Sequence, residues 1–432
     1  MKERSPRKQV VLLGVGHTNA HILRMWRMEA PVDVGLVCVS NFRKATYSGM
    51  LPGVLSGQYQ PDEMQIDLVR LTAACSARLV IGECTGIDHE RRRLLFSDHA
   101  PVAFDLLSIG IGSVPSFAGV EIESDRLLAV KPMQTLLGRL KAKLTEWQQT
   151  QPTGPLRVAV VGGGAGGIEV SFCLEPFFRQ HCPTHELRTT VVQGAEEILP
   201  GFKPATAARV RRQFERRGIQ CVTGQRVHSL RDRTLTLEDG STLEADLVIW
   251  TASASPPPLL SQLELPLTEP GFIEVRETLQ VVGHDRIFSV GDTATLQGKR
   301  LPKCGVYAVR QGPVLWRNIK KALVNRPLER FRPQADFLRL LNLGDGSAIG
   351  EQWGLSFEGR WAWLWKDRID RQFMAKYQDY EKPVMGMPLV PEDEAPPMRC
   401  AGCGGKVGAS VLSAVLSDLD VPQRPEVLVG LD

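Results

Sequence analysis

With 432 residues, 52 basic against 48 acidic side chains and a net charge of +4, the chain is too weakly basic to imply a nucleic-acid partner. Its hydrophobic fraction of 43% and its 40 glycines suit a packed α/β protein, at roughly 150 residues per domain. No run reaches the ~18 apolar residues of a membrane-spanning helix, and the nine scattered cysteines fit a reducing, cytoplasmic setting.

Residues 1–9 are basic but run straight into an apolar strand, so no signal peptide is expected. Val10-Val11-Leu12-Leu13-Gly14-Val15-Gly16 leads from that strand into a helix predicted over 20–28. Glycines at such a turn let the backbone approach a pyrophosphate, and the following helix aims its free N–H groups at the phosphates. Gly14, Gly16, His17 and Asn19 are therefore candidate cofactor-binding residues. Asn19 stands where a third glycine is usual. A strand over 32–39 follows, and Ser40 occupies the position of the ribose-binding acid. The unit closes on a buried-looking strand from Asp105, small residues and Pro115.

The pattern then repeats. Val158-Ala159-Val160-Val161-Gly162-Gly163-Gly164-Ala165-Gly166-Gly167 opens a helix from Ile168, followed by a strand over 189–192, a helix over 206–217 and a hairpin over 235–243. It closes on Asp246, an apolar strand, small residues and Pro256. Gly162, Gly164, Gly167, Glu169 and Gln193 are the second set of candidate cofactor-binding residues. Two successive doubly wound units with parallel sheets account for this repeat, and two dinucleotide loops imply electron transfer between two dinucleotides. Ile287-Phe288-Ser289-Val290-Gly291-Asp292 is a short strand ending at a helix start, where Gly291 and Asp292 are placed to meet a flavin ribityl chain.

On these residues the chain, over about 9–325, resembles the two-dinucleotide-binding-domain flavoproteins, and within them the type II NADH dehydrogenase-like branch. Ile198-Leu199-Pro200-Gly201-Phe202 and Gln311-Gly312 fit that branch. Tyr47-Ser48-Gly49-Met50-Leu51-Pro52-Gly53, Lys303 to Gln311 and Lys366-Asp367-Arg368-Ile369-Asp370-Arg371-Gln372-Phe373-Met374 resemble more specifically the flavoprotein half of fusions with selenide, water dikinase. The resemblance implies an α/β fold of two Rossmann-like domains: an FAD-binding domain at 1–125 and 271–325 and an NAD(P)H-binding domain at 126–270. A C-terminal α+β region follows at 326–390. An acidic, proline-rich linker at 391–397 then precedes a selenophosphate synthetase fragment at 398–432, in which Cys403 and Lys406 match the catalytic thiol and lysine. The alternative for Cys400 and Cys403 is a metal knuckle, and no second ligand pair lies nearby, so no metal site is expected. The chain ends at Asp432, where the synthetase family proceeds to its metal and ATP sites, so the phosphotransferase chemistry is expected to be incomplete.

No redox cysteine pair follows the first glycine loop, which disfavours the disulfide-reductase class. Gln193 is neutral and no Arg or Lys follows it before Lys203, so the sequence favours neither NADH nor NADPH. The quinone motif of the type II enzymes retains only Ala308, whereas Cys304 stands where the chain passes beneath the flavin and is a candidate catalytic relay. The expected function is FAD-dependent NAD(P)H oxidation with a small-molecule acceptor, either a selenium or sulfur species or a quinone. The alternatives are a selenophosphate synthetase with an accessory flavin domain, or a flavin-bearing assembly module. Trp361-Ala362-Trp363-Leu364-Trp365, followed by Lys366 and Arg368, reads as a strand over the core or as a peripheral membrane contact. A homodimer is compatible with the sequence.

Overall fold

The computed structural model describes residues 8–299 and 301–379. The linker at 391–397 and the synthetase-like segment with Cys400, Cys403 and Lys406 lie outside the described residues.

The first apolar run forms β1 (Lys8–Leu13), followed by α1 (His17–Met28), β2 (Val34–Ser40), β3 (Arg78–Ile81) and β4 (Leu106–Ile109). Val10, Val11 and Leu12 are fully buried. A parallel strand covered by helices on both faces has no solvent side, so its sequence reads as an unbroken apolar run rather than an alternation. The second unit begins with β5 (Leu127–Ala129) and α2 (Met133–Gln149). It continues through β6 (Leu156–Val161), α3 (Ala165–His181), β7 (Leu187–Val192), α4 (Pro204–Arg217), β8 (Gln220–Val222) and β9 (Leu247–Trp250). The chain then returns to the first sheet with β10 (Ile287–Ser289).

Each unit is a five-stranded parallel sheet. The orders are β10-β4-β1-β2-β3 and β5-β9-β6-β7-β8. The glycine-loop strand is central in both, and in both an edge strand comes from the chain outside the repeat. The two closing segments pair with each other, Val114–Pro115 running antiparallel to Ala254–Ser255. The similarity of the two closures is thus also a contact between the halves.

After β10 comes α5 (Gly305–Leu323), which packs on α1 with the Trp26 and Trp316 rings edge to face at 6.0 Å. An antiparallel meander of β11 (Arg339–Asn342), β12 (Ala348–Gln352) and β13 (Leu355–Gly359) leads into α6 (Arg360–Gln378). The tryptophan-rich run is therefore helical, which corrects the strand expectation. A five-residue alternation competes there with a longer helical period: Ala362, Lys366, Asp370, Met374 and Tyr377 are buried, whereas Trp361, Leu364 and Trp365 point outward.

Candidate functional site

Both glycine loops leave the carboxyl end of a central strand, the usual position for a ligand crevice in open α/β sheets. Gly14 sits at φ +80°, and a Cβ there would lie 2.7 Å from the Gly110 carbonyl. Gly16 precedes α1 in an extended conformation, is exposed, and the helix has no side-chain cap and no acid in its first turn. The orphan N–H groups of α1 are thus left for an anion. The second loop repeats the device. Gly162 is at φ +114° against Thr251 and Ala252, and a Cβ on Gly167 would overlap the Gly162 carbonyl. Gly164, at the N-cap of α3, faces open space.

The Asn19 side chain does not face the crevice, so any contact of this residue with the cofactor is left to its backbone N–H in the first turn of α1. It is fully buried; its Nδ2 donates to Gly14 O at 2.7 Å, and its Oδ1 accepts from Ser108 Oγ at 2.8 Å. The amide replaces the third glycine by tying the loop to β4. Ser40 Oγ is engaged by Phe42 O and N. Gln193 folds back so that its Oε1 accepts from Gly163 N at 2.9 Å, which shapes the loop from the side.

His17 begins α1. Its Nε2 is buried and has no hydrogen-bond partner, and burial lowers the imidazole's proton affinity, with Asp292 opposing. Its ring lies 5.4 Å from Tyr47 and 5.9 Å from Phe373. Asp292 lies in a single turn (Gly291–Thr293) held by Gly291 N donating to Gln311 Oε1 at 2.6 Å. Its carboxylate accepts from Ser113 Oγ at 3.2 Å and stands 3.8 Å from Lys131 Nζ. Cys304 occupies the position just before α5 beside this turn, with no side-chain cap bond, in a crevice with Asp292, Lys303, Tyr307 and Gln311. Burial pushes the Cys304 thiol up, although the Tyr307 and Val306 N–H groups oppose it, and burial brings the Lys303 ammonium down to about 8.

Glu169, one turn into α3, turns away from the loop. Its Oε1 accepts from Asn342 N at 2.9 Å, and burial raises its carboxyl to about 7 against the pull of Lys366. Lys366, buried on α6, donates to Asp370 Oδ2 at 2.7 Å and to Gly49 O at 2.8 Å. Tyr47 donates to Asp370 Oδ1 at 3.0 Å. Burial works against the Lys366 charge, but Asp370 and Glu169 outweigh it and hold the ammonium up. The aromatic contact of Tyr47 with His17 connects this cluster to the first loop.

Sequence reasoning missed Lys131, Tyr47, Lys366 and Asp370 as site residues. Tyr47 and α6 are more than 300 residues apart, so no local spacing signals their meeting. Among the described residues no group of His, Cys, Asp and Glu is placed to hold a metal ion.

The family described as pyridine nucleotide-disulphide oxidoreductase matches residues 8–312, and the chain belongs to it. It is 26% identical to the demethylphylloquinone reductase of Synechocystis over 82% of this chain and 89% of that one. To the type II NADH:quinone oxidoreductase of Staphylococcus haemolyticus it is 21% identical, over 86% and 96%. The fold is similar to that of NDH2 from Plasmodium falciparum in complex with NADH, with a TM-score of 0.72, 15% identity and coverage of 88% and 100%. The sulfide:quinone oxidoreductase of Aquifex aeolicus gives a TM-score of 0.69 at 16% identity, covering 86% and 92%. The chain is thus an NAD(P)H-dependent oxidoreductase with FAD as its cofactor. The residues fit both dinucleotides: two uncapped helix starts behind glycine turns, an open space at Gly164, and the unpartnered His17 Nε2 beside the first loop.

Gly16→Val fills the exposed approach to α1 and is expected to give protein purified without FAD, read from its visible spectrum. Gly164→Val is expected to keep FAD and lose reduction by NAD(P)H; loss of both ligands in this variant contradicts the division of labour between the loops. Asn19→Ala leaves Ser108 and the loop carbonyl unpaired and is expected to cost about 1–3 kcal/mol in denaturant unfolding.

Proposed function

We propose that the protein is an NAD(P)H:quinone oxidoreductase in which Glu169 delivers the proton that the acceptor needs. Reducing a quinone to a quinol takes two electrons and two protons. Hydride brings both electrons and one proton equivalent, so one further proton comes from solvent in each cycle. When bound, FAD supplies the two-electron chemistry that links nicotinamide oxidation to acceptor reduction. In this reading Gly14, Gly16 and the start of α1 hold its pyrophosphate and Asp292 its ribityl chain. Gly162, Gly164 and the start of α3 hold NAD(P)H.

The observation that carries the proposal is the cluster in which Glu169, bonded to Asn342 N, lies beside the Lys366–Asp370–Tyr47 network; burial there raises its carboxyl to about 7. A general acid works best when its proton affinity lies near the working pH. The nearby Lys366 ammonium keeps the ionised form of Glu169 accessible after the proton has left. Cys304 supports the same choice of acceptor, because a thiol whose ionisation burial opposes is a poor nucleophile for a selenium or sulfur species.

A lipid-soluble acceptor also accounts for the outer face of α6. Trp361, Leu364, Trp365 and Ile369 are exposed along it, and Trp353 and Leu355 are exposed on the neighbouring hairpin. Trp361 stacks on Phe357 at 4.7 Å, so helix and hairpin form a continuous apolar surface, with Arg360 and Arg368 exposed on the helix. Tryptophans with flanking arginines suit a membrane interface with anionic headgroups. Among the described residues no helix is long and apolar enough to cross a membrane.

In an anaerobic assay, a short-chain quinone is expected to outpace selenodiglutathione, with quinone turnover insensitive to Cys304→Ser. Faster selenium reduction that Cys304→Ser abolishes overturns the quinone reading. The general-acid role places the active form of Glu169 below its proton affinity, so quinone turnover should fall as pH rises through about 7. Glu169→Gln is expected to lower it about 100-fold and remove that limb. In vesicle flotation with phosphatidylglycerol, the protein should float and the triple Ser variant of Trp361, Leu364 and Trp365 should not. Equal flotation of the two removes the membrane face.

A further inference from the structure

We propose that Arg226 selects NADPH over NADH by binding the 2′-phosphate of its adenosine ribose. In units of this kind the adenosine ribose lies beyond the end of the second strand, where a carboxylate takes its 2′-hydroxyl or an arginine its 2′-phosphate. Here β7 ends at Val192, and the following side chain, Gln193, is neutral and committed through Oε1 to Gly163 N. Along the sequence no cation follows until Lys203.

The fold brings one in from a different segment. Strand β8 lies beside β7 with Val192 opposite Val222. The turn that leaves β8 is bonded back onto the end of β7: Gln193 N donates to Val222 O at 2.8 Å, Gln225 N to Gln193 O at 3.2 Å, and Gly224 N to Ala195 O at 2.9 Å. This lays the Arg226 stem across Gly194. A Cβ on Gly194 would stand 2.7 Å from Arg226 Cγ and 3.4 Å from its Nε, so the arginine occupies the space that a side chain at 194 would need. Arg226 is exposed, and among the described residues its guanidinium has no ion pair or hydrogen bond. Of the acids on the same turn, one is neutralised and one stays near the turn of Arg226. Glu197 pairs with Arg211 at 2.7 Å, and the Glu196 carboxylate lies over Gly224.

A guanidinium is charged at every working pH and its donor fork matches phosphate oxygens. A phosphate monoester gains its second charge near pH ~6, so the preference for NADPH should strengthen above that value. Position 193 itself carries no carboxylate to accept from the 2′-hydroxyl of NADH, whereas Arg226 offers the phosphate a cationic partner.

The proposal rests on assigning the second glycine loop to NAD(P)H, and the test separates the two. Adenosine 2′,5′-bisphosphate and AMP are titrated into the flavin-loaded enzyme by calorimetry. The bisphosphate is expected to bind at least about tenfold more tightly. Arg226→Ala should bring the ratio close to one, with Arg226→Lys in between. Gly194→Ala, which crowds Cγ but keeps the charge, should lower the ratio in part. In turnover, the ratio of kcat/KM for NADPH to that for NADH should fall about tenfold in Arg226→Ala. Equal binding of the two probes by the unmodified enzyme, or a ratio that Arg226→Ala leaves in place, overturns the role of Arg226. Failure of both probes to bind overturns the loop assignment and the proposal with it.

Discussion

The site depends on places where two stretches of backbone pass at contact distance. Gly14 meets the Gly110 carbonyl, and Gly167 lies over the Gly162 carbonyl, so that neither position has room for a side chain. These crossings bring a strand end and a helix start together, and they leave the first N–H groups of α1 and α3 facing outward instead of into a side-chain cap. The second turn is also braced from the side by Gln193, whose Oε1 accepts from Gly163 N. Asn19 shows how firmly the first one is held: a residue larger than glycine is accommodated because its amide satisfies both the loop and β4.

Between the turns the protein keeps a second constraint, the balance of charge around Lys366. A buried ammonium is costly without a counter-ion, and here two carboxyls compete for it. Asp370 holds it by a direct 2.7 Å contact and is supported by Tyr47. Glu169 is left with one backbone N–H and a proton affinity near neutrality. The cluster joins α3, the segment before the short helix Leu51–Leu55, and α6, so a change at any of the three reaches the others through the same few bonds.

Much of this was legible in the sequence. The glycine turns, the apolar strands and the Gly291-Asp292 return are local patterns, and each appears near its expected position, because a strand buried on both faces and a helix start behind glycine leave few alternatives. Long-range features were less accessible. Lys366 and Tyr47 come to share Asp370 only because the chain returns after the second unit, and Arg226 reaches the end of β7 only because β8 pairs beside it. The tryptophan run misled for the opposite reason: five alternating residues suggested a strand, whereas burial of Lys366, Asp370 and Met374 through the rest of the segment sets a helix. Gln193 stands at the position of the ribose-binding acid, and the bond its amide makes to the loop is visible only in the fold.

The two loops work together only if a nicotinamide held by the second reduces a flavin held by the first. An anaerobic titration of the purified protein with NADPH, followed through the visible flavin bands, tests this directly. Bleaching that is complete at one nicotinamide per flavin is the predicted result. A bound flavin whose bands stay unchanged in excess NADPH and excess NADH would contradict it.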